Sequence, residues 1–234
     1  SLKKGGHKVE LFDTTFFSQW SVNETDYNTE NKQYKPSDYN RVIKYNNLDP
    51  VKELNSRIME FRPDAIFSSA LSSHIHGEGE YVNIQYGYEL IQQLNTKALK
   101  ITGGLQPTAR PKEMLKLFPK VNYFISGESE FVLCEIADTC RDIHKISKIK
   151  GITFLDKDVA ISNLKQQIIN DLDAIPSYDY SVFEDQVFFR PYNGKVERAV
   201  DYELSRGCIY ACSYCVETII QKYFRYKFIF NYRV

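Results

Sequence analysis

Between Asp49 and Ile161 the chain alternates short apolar runs with amphipathic stretches, and no other feature constrains its fold as much. Asp49-Pro50 starts a helix, with a carboxylate to cap the first amides and a proline where no amide is needed. Val51, Leu54, Ile58 and Phe61 then fall on one face before Arg62-Pro63 ends it. Residues 64–71 form a mostly apolar strand, and Tyr81, Ile84, Tyr88, Ile91 and Leu94 make the stripe of a second helix. Residues 98–104 form the next strand, ending in Gly103-Gly104. Pro111 opens a short helix through Phe118, residues 121–126 are another strand, and residues 130–142 are a helix carrying Phe131, Cys134 and Ile136. Ile152 to Leu155 and Val159 to Ile161 read as an edge hairpin around Asp156-Lys157-Asp158.

Strands alternating with helices at this spacing are βαβ units. The expected fold class is therefore α/β, a Rossmann-like, doubly wound parallel sheet with helices on both faces. Ligands of such sheets bind at the carboxyl ends of the strands, which points to three loops: residues 68–79, 103–110 and 126–130. Outside this region, Leu2 to Gly6 reads as the last turn of a helix, residues 8–13 as a strand, and residues 18–47 as a long polar loop. Asp171, Asp173, Pro176, Asp179 and Pro191 break any period, so residues 166–195 are expected to link two domains, one over 1–165 and another over 196–234. Val200, Tyr202 and Leu204 alternate as the strand that opens the second.

That strand runs into Ser205-Arg206-Gly207-Cys208-Ile-Tyr-Ala-Cys212-Ser-Tyr-Cys215. Three of the chain's five cysteines lie within eight residues, which is no disulfide framework and directs the reading to metal or redox chemistry in the reducing cytoplasm. Three thiolates can hold three irons of a cubane cluster and leave the fourth open to an outside ligand. Structural zinc would want a fourth ligand nearby, and Cys134, Cys140 and His144 belong to the other domain. The third alternative is three unrelated buried cysteines. Thirty basic residues balance thirty acidic ones, which argues against a general nucleic-acid binder, and no run approaches the roughly eighteen apolar residues of a membrane span.

The loop after a strand, with Tyr214 before the third cysteine, resembles the C-x3-C-x-aromatic-C signature of the radical S-adenosylmethionine enzymes. Within that superfamily the subgroup with an amino-terminal cobalamin-binding domain is similar to nearly the whole chain. Ser69-Ala70-Leu71 resembles an S-x-L element, Gly103-Gly104 a G-G element, residues 127–130 a G-E-x-E element and Leu172 to Pro176 an interdomain L-D-x-x-P. The resemblance implies that Cys208, Cys212 and Cys215 ligate a 4Fe–4S cluster and that Tyr214 packs near the adenine of S-adenosylmethionine. It also implies that Ser69, Leu71, Gly103 and Gly104 cradle cobalamin, with His74 and His76 nearby. The implied activity is reductive cleavage of S-adenosylmethionine to a 5′-deoxyadenosyl radical, used above all for cobalamin-dependent methyl transfer to an unactivated carbon and in some relatives for ring formation.

The substrate, a small molecule or peptide, is not specified by these residues, and an electron donor such as a flavodoxin or ferredoxin is implied. A methylthiotransferase relative would need three further cysteines in the first domain, where there are two. A non-catalytic cobalamin or iron–sulfur sensor is the alternative from another class. Only nineteen residues follow Cys215, against about 200 in a barrel of this kind. The sequence is therefore expected to be a fragment that is inactive alone.

Overall fold

The computed structural model describes residues 1–19, 37–69, 81–200, 202, 205–210 and 212–224. In chain order the elements are α1 (Tyr39–Val42), α2 (Pro50–Phe61), β1 (Ala65–Ser69), α3 (Tyr81–Gln93), β2 (Leu99–Gly103), α4 (Leu105–Ala109), α5 (Pro111–Leu117), β3 (Tyr123–Ile125), α6 (Ser129–Thr139), α7 (Ile143–Ile146), β4 (Ile152–Asp156), β5 (Val159–Ser162), β6 (Phe189–Tyr192), β7 (Lys195–Arg198) and α8 (Glu217–Phe224). The described residues form two compact units, one from 1–9, 55–176 and 204–234, the other from 10–54 and 177–203. Residues 166–195, expected as a linker, are thus shared between the units, and residues after 204 group with the α/β sheet.

The first unit is built on a five-stranded sheet in the order β1-β2-β3-β4-β5. β1, β2 and β3 are parallel, while β4 and β5 add as the antiparallel hairpin expected at the edge. Side chains alternate across the sheet, and both faces are covered. Ile101, Tyr123, Ile125 and Ile152 point to one face, where they pack with Val132 and Ile136 of α6 and Ile146 of α7. Ile136 and Ile146 are fully buried, each worth about 1.5–3 kcal/mol of apolar burial. Lys100, Thr102 and Phe124 occupy the alternate positions and point the other way. There the Lys100 Nζ donates to the Leu94 carbonyl just beyond α3 at 2.8 Å, and Tyr88 of α3 stacks on Phe118 after α5 at 4.8 Å. Helices on both faces of a largely parallel sheet agree with the sequence reading.

Local signals explain most boundaries. The Asp49 carboxylate accepts from the amides of Val51 (2.9 Å) and Lys52 (3.2 Å), as a cap should. Pro111 stands at the first position of α5. Tyr88, Ile91 and Leu94 of the expected stripe are buried, while the side chains of Tyr81 and Ile84 lie outside those described. Leu2 to Gly6 form the expected turn, closed by Gly6 N–H to the Lys3 carbonyl and His7 N–H to the Leu2 carbonyl, with Gly6 at φ +85°.

Two expected strands are corrected. Residues 8–13 adopt no strand, and Val9 and Leu11 are each 38% exposed, so the alternation there does not mark a sheet face. Val200 and Tyr202 are likewise outside any strand and exposed; Leu204 lies outside the described residues.

In the second unit β6 and β7 form an antiparallel hairpin around Asn193-Gly194, both at positive φ. Such a pair is a strong hairpin signal, embedded here in a stretch expected to be irregular. Phe16, Phe17 and Ile43 are buried, and Phe17 bridges to Asn46. The Gln186 side chain accepts from the Lys44 amide and donates to its carbonyl at 2.9 and 3.1 Å.

Candidate functional site

Parallel pairing of β1 and β2 sets Ser69 directly beside Gly103 at the carboxyl ends of adjacent strands. Ser69 is exposed, and it shares its sheet face with Phe67 and Gly103. A Cβ on Gly103 would lie 2.7 Å from Ser129 Oγ and 3.1 Å from the Phe67 ring. The missing side chain at 103 therefore first serves close packing of the α6 start on the strand end. Gly104 follows at φ +116°, a conformation that glycine adopts far more readily than other residues. Leu71, His74 and His76 lie outside the described residues. The placed residues form a small, hydroxyl-bearing strand edge, Ser69 and Ser129 flanking Gly103, and that chemistry fits a ligand lying across the strand ends.

The other two strand-end loops are bonded together. Thr108 Oγ1 donates to the Gly104 carbonyl at 2.7 Å and accepts from the Gly127 amide at 2.8 Å, while the Ser126 hydroxyl donates to the Pro107 carbonyl at 3.0 Å. The Ser126 carbonyl accepts from Gln166 Nε2 (2.7 Å) and from the Tyr223 hydroxyl (3.2 Å). Gly127, at φ +92°, has Gln166 and the rings of Phe224 and Tyr223 where a side chain would stand.

The cysteine loop belongs to the same unit. The Gln221 side chain, 4% exposed, donates to the carbonyls of Cys208 (2.5 Å) and Tyr210 (2.8 Å). Thr218 Oγ1 donates to the Cys212 carbonyl at 2.7 Å, and the Cys215 amide to that same carbonyl at 3.2 Å. The α8 helix thus holds the loop by its backbone and leaves its thiols for other work. Cys208, Cys212 and Cys215 are all free and half-buried. Among the described residues no three His, Cys, Asp or Glu side chains converge as a metal site, so the three thiols would close around an incoming cluster. A donor set of three free thiols on one anchored loop suits iron–sulfur ligation.

Tyr214 is 91% exposed. Interaction with the neighbouring Cys212 side chain, and to a lesser extent Cys215, raises its phenol pKa. Cys134 bonds within its own helix, to the Glu130 carbonyl at 3.2 Å, and burial pushes the thiols of Cys134 and Cys140 up.

Sequence reasoning missed the residue that ties loop and sheet together. The Arg206 guanidinium donates from Nη1 to Glu128 (3.3 Å) and from Nη2 to Glu130 (2.5 Å), the two carboxylates of the G-E-x-E element. The second Glu128 oxygen accepts from the Ile169 amide at 2.8 Å. Arginine before the first cysteine and paired glutamates after β3 were both visible in the sequence; only the fold joins them.

No protein-family model matches the chain. Among curated proteins it is similar to the anaerobic magnesium-protoporphyrin IX monomethyl ester cyclase of Cereibacter sphaeroides, with 24% identity over 85% of this chain and 30% of the relative. The same-named proteins of Synechocystis (29% over 49% of this chain and 22% of the relative) and Rubrivivax gelatinosus (22% over 78% and 30%) also match. Among solved structures it resembles the cobalamin-dependent S-adenosylmethionine radical enzyme OxsB, with TM-score 0.49 and 19% identity over 70% of this chain and 22% of that one. It also resembles the radical S-adenosylmethionine methyltransferase TsrM of Kitasatospora setae, with TM-score 0.46 and 18% identity over 72% and 33%. The chain spans less than a third of the length of the curated relatives it matches. The chain is thus similar to the cyclase of Cereibacter sphaeroides over most of its length, while the likeness to cobalamin-binding radical S-adenosylmethionine enzymes is carried by its short motifs.

Proposed function

We propose that the chain is part of a radical S-adenosylmethionine enzyme with a cobalamin-binding α/β domain. One observation carries the reading: three free thiols sit on a single eight-residue loop, anchored by its carbonyls, in the same compact unit as a sheet whose strand ends pair Ser69 with Gly103. Cys208, Cys212 and Cys215 would hold the 4Fe–4S cluster, and Tyr214 would lie against the adenine of S-adenosylmethionine. Ser69, Leu71, Gly103 and Gly104 would cradle cobalamin. When bound, these groups supply one-electron cleavage of a sulfonium and corrinoid chemistry at carbon. The chain's own residues do the holding: Gln221 and Thr218 fix the loop backbone, Arg206 ties it to Glu128 and Glu130, and Thr108 locks the two strand-end loops.

Hydrogen abstraction from an unactivated carbon is the reaction class, with methyl transfer as its outcome. Ring closure is the second reading, favoured by the three curated relatives, each named a cyclase. The electron would come from a small flavin or iron–sulfur donor in a reducing compartment, where clustered thiols stay free. No described helix is long and apolar enough to cross a membrane.

Anaerobic reconstitution of the chain with iron and sulfide should give broad absorbance at about 400 nm and close to four irons per chain. Cys212→Ala should abolish both, and full retention of the signal in that variant would overturn the ligand assignment. With the parent enzyme, deoxyadenosine release on reduction in the presence of S-adenosylmethionine separates catalysis from a sensor role.

A further inference from the structure

We propose that Arg206 is a positioning residue, and that its fork onto Glu128 and Glu130 registers the cysteine loop against the sheet edge that carries Ser69 and Gly103. The inference rests on the functional reading above and goes beyond it, because neither the cysteine signature nor the strand-end motifs assign this arginine a role.

The geometry is specific. Arg206 stands two residues before Cys208, and its two terminal nitrogens reach two different carboxylates. The side chains of Arg206, Glu128 and Glu130 are 18%, 10% and 25% exposed. They are therefore shielded from the solvent screening that makes surface pairs weak, and charge-assisted forks of this kind fix direction as well as distance. A lysine could keep the charge but not the fork.

The partners are themselves anchored. Glu128 also accepts from the Ile169 amide, and Glu130 lies in the first turn of α6, where the helix dipole favours a carboxylate. Between them stands Ser129, whose hydroxyl occupies the space above Gly103. The tripeptide 128–130 thus holds the arginine of the cysteine loop with two side chains and meets the strand end with the third. A large displacement of the residue 206 backbone relative to the start of α6 would break the fork.

The test uses the full chain in three states of residue 206, native, Arg206→Lys and Arg206→Met, with Glu130→Gln removing one arm of the fork from the other side. The first measurement is the rate at which a chelator strips iron from the reconstituted protein. Loss of the fork should hasten it about tenfold, the lower range for outer-shell partners of metal ligands, with Arg206→Lys in between. Glu130→Gln, which leaves the Glu128 contact, should fall between native and Arg206→Met, and the double variant should add little to Arg206→Met.

The second measurement, amide hydrogen exchange over residues 205–216 in the metal-free chain, does not depend on any cofactor and should rise in the same order. Arg198→Met, which removes an exposed pair with Asp185 in the other unit, should change neither. If the native chain takes up no iron, the functional reading fails while hydrogen exchange still decides the role of Arg206. Native iron retention together with native exchange in Arg206→Met and Glu130→Gln would overturn the proposal.

Discussion

Gly127→Ala offers the sharpest check on how the strand-end loop is packed. Gly127 stands at φ +92°, and a Cβ there would lie 2.6 Å from Gln166 Nε2, 2.8 Å from Phe224 Cζ and 3.3 Å from Tyr223 Cε1. The backbone conformation alone costs an alanine about 1–2 kcal/mol, of which about 0.4–1 kcal/mol is recovered through the less flexible unfolded chain. Gln166 cannot step aside freely, because it is buried and its Nε2 donates to the Ser126 carbonyl; breaking that bond adds about 1–3 kcal/mol. Crowding the Phe224 edge adds about 1–3 kcal/mol more.

The total, about 2–8 kcal/mol, should lower Tm by at least about 4 °C, and by more than about 10 °C if both the bond and the packing terms apply in full, in a chain of this size. Gly6→Ala is the internal control. Its φ is +85°, but nothing lies within 4 Å of the added carbon, so it should lose about 1 kcal/mol and only about 2–4 °C. Because Phe224 and Tyr223 end the helix that carries Gln221, Gly127→Ala should also loosen the cysteine loop, read as faster hydrogen exchange over residues 205–224. A Tm for Gly127→Ala no lower than that of Gly6→Ala would refute the packing argument.

Gln221→Leu removes both donors to the Cys208 and Tyr210 carbonyls and should cost about 2 kcal/mol, at about 1 kcal/mol per bond, with a parallel fall in reconstituted iron; unchanged denaturant midpoints and iron content would contradict the anchoring role. Tyr88 is 1% exposed and its hydroxyl has no hydrogen-bond partner among the described residues, so Tyr88→Phe should gain about 1 kcal/mol at neutral pH. Burial raises the folded-state pKa of Tyr88. Its contribution is therefore fully present below the usual tyrosine value of about 10 and is lost as pH rises toward the folded value. Urea midpoints at neutral pH and above pH 10 should show a smaller alkaline loss in Tyr88→Phe, and equal losses would refute the assignment.

The sequence was most informative where one residue type solves one local problem. Asp49-Pro50 caps a helix, Pro111 opens one, and Asp156-Lys157-Asp158 turns a hairpin, with residues 157 and 158 both at positive φ. It misled where alternation met no strand: Val9 and Leu11 alternate as a strand should, yet they lie outside any strand and stay 38% exposed. It was silent where meaning arises only from tertiary contact. Asn193-Gly194 was readable as a hairpin turn, but the aspartates and prolines before it masked the signal. The cysteine spacing pointed to metal chemistry without naming Gln221 or Arg206, because the groups they hold are carbonyls and carboxylates brought near only by folding. Gly103 stands at a strand end, and its missing side chain makes room for Ser129 and Phe67, a packing reason that the sequence did not show.

The joints around the Ser126 carbonyl also set an order of assembly. Gln166 reaches that carbonyl across 40 residues of chain and Tyr223 across 97, while Arg206 reaches back 76 and 78 residues to its glutamates. Contacts so distant in sequence carry a loop-closure cost that is repaid only once the sheet stands. The cysteine loop is therefore expected to dock late in folding, after β1, β2 and β3 have paired. Under the proposed function, thiols on a loop that is fixed only in the finished unit would take up a cluster as the last act of folding, and a chain halted before that stage would offer iron three tethered but unregistered sulfurs.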